Sequence, residues 1–208
     1  MDQLFDATRT ELESSTSILN ITLDEALLLC KGGQFAVAKD NATIFSGLFG
    51  RLAQCIRKVV GAIRDHGTRF GTLPNVTPLS PSNFRGATAH KVSLMNGLLA
   101  KVVFRERTRF FHKLECIDEI VVSLQTESDA VISGMSQSDS RSQHRAWQQL
   151  EVLGYDLNTC MGETTVVLKS FFCALPPEEL DSFRAKLVKL LPSLFAAGSG
   201  ETQSFDIS

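Results

Sequence analysis

Four stretches of this chain, each about 30 residues or longer, repeat apolar side chains at the helical period, and that periodicity sets the fold class. In 3–31, Phe5, Leu12, Leu19, Ala26 and Leu29 fall near heptad spacing. In 35–67, Phe45, Leu48, Leu52, Ile56, Val59 and Ile63 share one face. Residues 81–128 and 140–174 carry the same pattern, the latter through Trp147, Leu150, Leu157, Leu168 and Phe172. Side chains three and four apart lie on one side of a helix, so each stretch reads as an amphipathic helix of about 45 Å or more. "TTVVLKSFFCAL" at 164–175 is β-branched enough for a strand, yet it continues the stripe of the fourth helix.

The breaks between stretches are chemically marked. "KGGQ" at 31–34 supplies two glycines where a helix can stop. "HGTRFGTLPNVTPLSP" at 66–81 holds two glycines and three prolines and cannot continue a helix. Ser80 then offers a cap and Pro81 suits the first helical position. "SGMSQSDSRSQ" at 133–143 is polar and rich in turn formers. Pro177, Glu178 and Glu179 open a short fifth helix reaching about Leu191. The expectation is an all-α, antiparallel up-down bundle of four long helices plus a short C-terminal helix. It occupies a single domain, 1–195, followed by a disordered polar tail, 196–208.

No apolar run in the 208 residues reaches the 18 needed for a membrane span. "MDQLFDATRTELE" lacks the charged-then-apolar layout of a secretory signal, which points to a cytoplasmic address. Cys30, Cys55, Cys116, Cys160 and Cys173 are odd in number and form no CxxC pair, so they read as small core residues.

Charge is unevenly distributed. Residues 51–113 contain 12 Lys or Arg against two acids, Asp65 and Glu106, a balance of +10 in a chain of net charge −2. Residues 1–50 carry −4 and residues 114–208 carry −8. Within "KVVFRERTRFFHKLE", Lys101, Arg105, Arg109 and Lys113 follow at steps of four, with Arg105 opposite the apolar face of Val103, Phe110, Leu114 and Ile117. Arg57, Lys58 and Arg64 on the second helix extend this stripe. Such a basic half either recruits something anionic or answers acidic neighbours within the fold.

Arg107 stands apart from the stripe. It falls about 200° from Arg105 on the helical wheel, within the apolar face, where a guanidinium needs a partner. Antiparallel third and fourth helices bring Glu163 nearest to it and Asp156 next, so a buried Arg107–Glu163 ion pair is expected.

Reaction chemistry is sparse. His66, His90, His112 and His144 are dispersed, with no HExxH or zinc spacing. No phosphate-cradling glycine loop and no GxSxG elbow occurs. His112 and Cys116 share a helix face, a Cys–His arrangement set against a packing role for a cysteine one step from Ile117. His66, Arg69 and Phe70 cluster at the start of the irregular 66–81 loop.

These features favour a non-enzymatic helical-bundle interaction or regulatory domain. Lys101, Arg105 and Arg109, with Arg57, Lys58 and Arg64, would bind an anionic partner through a basic face on helices two and three. A membrane-active or lipid-binding bundle touching anionic headgroups is the alternative, and would place the protein at a membrane periphery. A small enzyme with its site at the 66–81 loop is a further one. The partner is a protein or an anionic lipid surface, ahead of nucleic acid, because Trp147 and Tyr155 lie outside the basic half. No metal or cofactor is expected.

Overall fold

The structure, a computed structural model, describes residues 2–70, 72–99, 106–135 and 139–190. Lys101, Arg105 and the 196–208 tail lie outside the described residues. Six α-helices appear among the described residues: α1 (Asp2–Lys31), α2 (Phe35–Gly67), α3 (Gly86–Leu99), α4 (Glu106–Met135), α5 (Ser140–Ala174) and α6 (Pro177–Leu190). No strand occurs among the described residues, and the β-branched 164–174 run is helical.

Local chemistry explains the ends of these helices. After α1, Gly33 takes φ +76°, a left-handed conformation that glycine adopts without a Cβ clash. This lets Gln34 N–H reach Leu29 O at 2.9 Å and Gly33 N–H reach Cys30 O at 3.2 Å, the paired bonds of a Schellman stop. Ahead of α5, the Asp139 carboxylate accepts the Ser142 N–H at 2.8 Å, and that bond holds its carboxyl below the usual range. Pro177 opens α6, with Glu178 and Glu179 in its first turn.

The expected third helix, 81–128, is corrected. Pro81–Asn83 form only a 3₁₀ turn, and Ser80 caps nothing with its side chain. The helical chain resumes at Gly86 and is divided into α3 and α4. The two lie side by side. Lys91 Nζ is 3.2 Å from Glu119 O, whereas a continuous helix would separate those residues by about 42 Å. Ala87 and Lys91 face Ile120, Ser123 and Glu127 across a small cleft.

Three helix pairs run in opposite directions along the chain, whereas α2 and α5 run the same way, with Phe45 against Trp147 and His66 against Phe171. Between α2 and α4, Gly50 faces Gln125 and Arg57 meets Asp118. Between α4 and α5, Phe110 stacks on Phe171 with centroids 5.8 Å apart, and Lys113 meets Glu163. Between α1 and α5, Leu23 faces Gly154 and Asn20 accepts from Asn158. The core is aromatic at both ends. Phe45 packs edge-on against the wholly buried Trp147 at one, and Phe110, Phe171 and Phe183 gather at the other. Each such ring, fully buried, contributes about 2–3 kcal/mol. No helix among the described residues is long and apolar enough to cross a membrane.

Candidate anion-binding surface

The chain leaving α2 is held by Arg107. Its guanidinium donates through Nη1 to Phe70 O and through Nη2 to Thr68 O, the latter at 2.9 Å, and lies 5.4 Å from the centre of the Phe111 ring. Arg107 is exposed, so the expected buried pair with Glu163 is corrected. The wheel places Arg107 on the apolar side correctly. It is nevertheless the second residue of α4, where that side has reached the end of the packed core and meets loop carbonyls instead. Asp156, the other expected partner, is wholly buried, and its Oδ1 accepts the Arg85 N–H at 2.9 Å. Burial pushes that carboxyl up, against the pull of the Thr88 hydroxyl and the Arg85 N–H.

The buried cation among the described residues is Lys113. It is 2% exposed, and its Nζ lies 2.6 Å from Glu163 Oε2. A ladder at steps of four precesses by about 40° per step, so Lys113 lies about 40° further round α4 toward the core than Arg109. On the wheel Lys113 lies about 40° from Ile117, a signal present in the sequence.

The remaining basic residues divide by depth. Arg57 Nε donates to Asp118 Oδ1 at 2.8 Å, an answer from α4 within the fold. Lys58 is half-buried and Arg109 is exposed, and each is engaged by a neighbour. Arg64 and Arg69 are exposed. Arg64 and Arg69 flank the stretch that Arg107 holds, since the Thr68 N–H donates to Arg64 O and the Thr68 carbonyl accepts from Arg107. The acid within this group, Asp65, lies 3.6 Å from Lys186 Nζ of α6.

His66 is a packing residue of the same end. It is 3% exposed, with ring centres 5.0 Å from Phe183, 5.3 Å from Phe70 and 6.2 Å from Phe171. Glu179 Oε2 lies 3.4 Å from its Nε2. Burial lowers its pKa, Glu179 opposes that, and Arg69 and Lys186 reinforce it. Phe70 is half-buried, and Leu73, Val76 and Leu79 anchor the loop beyond it. Asn96 Nδ2 donates to Leu79 O at 2.7 Å. The connection is an ordered cover for the core.

Cys116 Sγ lies 2.9 Å from His112 Nε2. The thiol is buried and pushed up to about 12, first by burial and then by Glu119 and Glu115. Burial also lowers the His112 pKa against the same two carboxylates. A thiol so raised stays protonated and does not form the thiolate a nucleophile needs. Cys30, Cys55 and Cys160 are buried thiols outside any disulfide, and Cys173 is an exposed thiol. No group of three His, Cys, Asp or Glu side chains among the described residues is placed to hold a metal.

The chain matches no family model, no curated protein and no solved structure.

Proposed function

We propose that this chain is a non-enzymatic helical-bundle interaction module that binds an acidic protein segment at the α2–α4 end. In this reading α1, α2, α4 and α5 form an antiparallel up-down bundle of one domain, with α3 laid against α4. The binding surface comprises Arg64 and Arg69 together with Lys101 and Arg105, which precede α4 in the chain. The observation that carries the reading is a difference in how cations are answered. Arg57 and Lys113, along the bundle, meet Asp118 and Glu163. At the bundle end Asp65 is engaged by Lys186, while Arg64 and Arg69 stand exposed beside Arg107. Exposed like charges gathered this way add little to stability but attract an anionic partner over a Debye length, about 8 Å at physiological ionic strength.

The test compares the full chain with a variant carrying Arg64→Glu, Arg69→Glu, Lys101→Glu and Arg105→Glu. Both are titrated against polyglutamate, phosphatidylserine vesicles and single-stranded RNA at low and high salt. Salt-sensitive polyglutamate binding that the folded variant loses supports the proposal. Retained binding with an unchanged salt dependence removes it, and a response to vesicles or RNA alone assigns the surface to another class of partner.

A further inference from the structure

A cleft of about 720 Å³ opens between the start of α3 and the facing sides of α4 and α5. Glu127, Ala130 and Val131 share one side of α4, and Arg145, Gln149 and Val152 share one side of α5, at helical spacing. Gly86 and Ala87 form the α3 wall and carry at most a methyl group, so the space between α4 and α5 stays open there. The floor is apolar, from Val131, Val152 and Leu153, with one acid and one guanidinium at its edge.

The two charges do not neutralise each other. The Lys113–Glu163 register sets Arg145 level with about residue 131 and Glu127 level with about residue 149. They are offset by one helical turn, about 5–6 Å along the axis. Glu127 Oε1 accepts only a 3.3 Å bond from Ser123. Arg145 is exposed and makes no ion pair among the described residues. A cavity of this size, mostly apolar and carrying a few placed polar groups, suits a small organic molecule.

We propose that this cleft binds a small zwitterionic molecule with an apolar body. Its carboxylate meets Arg145, its ammonium meets Glu127, and its hydrocarbon covers Val131, Val152 and Leu153. Charge complementarity selects this class. A lone anion gains Arg145 but is repelled by Glu127, and a lone cation meets the reverse. A zwitterion answers both with charge-assisted hydrogen bonds, the stronger kind. Gln149 adds an amide that can donate or accept. The cleft is separate from the basic end, since Glu127 lies twenty residues along α4 from Arg107, about 30 Å.

The experiment is two-dimensional ¹H–¹⁵N NMR of the full chain with three probes sharing one hydrocarbon body: 6-aminohexanoate, hexanoate and hexylamine, each to about 20 mM. Saturable shifts at Ala130, Val131, Gln149 and Val152 are expected with 6-aminohexanoate. Hexanoate and hexylamine should bind about tenfold more weakly, the scale of one charge-assisted hydrogen bond. Arg145→Gln should weaken 6-aminohexanoate and strengthen hexylamine, which loses a repelling charge, so that the two bind alike. Glu127→Gln should do the same relative to hexanoate. The charge swap Glu127→Arg with Arg145→Glu should restore the zwitterion preference over either single variant. Absence of saturable shifts, shifts located elsewhere, equal binding of all three probes, or indifference to both substitutions would each overturn the proposal.

Discussion

Lys113 Nζ and Glu163 Oε2 lie 2.6 Å apart between α4 and α5, with the ammonium 2% exposed and the carboxylate 19% exposed. A buried cation is tolerable only because the acid is in reach, and removing one partner leaves the other uncompensated. Glu163→Ala should therefore destabilise the protein by about 3 kcal/mol in urea titrations. The pair Lys113→Met with Glu163→Gln should recover most of that loss, because it removes both charges and keeps the volume. A Glu163→Ala variant as stable as the parent would contradict the pairing.

Acidification should weaken the seating of α6. Burial holds the His66 pKa below its ordinary 6.5, so the unfolded chain takes up the proton first as pH falls. The stability that neutral His66 contributes is complete above pH 6.5 and declines as pH drops below it. His112, lowered by burial too, acts in the same direction, whereas the raised Asp156 favours the fold as the carboxylates titrate at lower pH. Unfolding midpoints measured from pH 7.5 to 5.5 should fall, and His66→Phe should flatten the slope. An imidazole resonance of His66 titrating above 6.5 would refute this.

Arg107→Ala should loosen the chain after α2 without unfolding the core. Two hydrogen bonds to the Thr68 and Phe70 carbonyls are lost at an exposed site, worth about 1–2 kcal/mol together. Hydrogen exchange should rise at residues 68–70 and stay unchanged around Trp147. Arg107→Lys should restore only part of the protection, because an ammonium lacks the planar fork that spans two carbonyls.

Thiol labelling should separate the cysteines. Exposed Cys173 should react with a mild alkylating reagent in the native protein. Cys116, with its pKa pushed up to about 12, should react only on unfolding. Rapid native labelling of Cys116, assigned by peptide mass spectrometry, would contradict the geometry around it.

Much of the secondary structure is legible in the chain because the deciding interactions are local. The Gly32–Gly33 stop and the Pro177 start each act within a few residues, and the observed end of α1 and start of α6 follow from them. Periodicity likewise supplies the long amphipathic faces. It cannot tell one long helix from α3 and α4 lying side by side, because an apolar stripe reads the same in both. Only contacts such as Lys91 with Glu119 reveal that α3 lies against α4.

The cations show the same division. Their wheel angles are written in the sequence, including the inward drift that ends at Lys113. Burial, however, depends on angle and on depth along the bundle together. Lys113 lies where α5 covers α4, so its angle buries it against Glu163. Arg107 shares the apolar side but sits at the start of α4, where the packing ends and the Thr68 and Phe70 carbonyls meet it. The sequence determined which way each side chain points around its helix. Only the tertiary structure decided what stood there, because the neighbour across an interface is set by helix register, and register is a property of the packed assembly of helices.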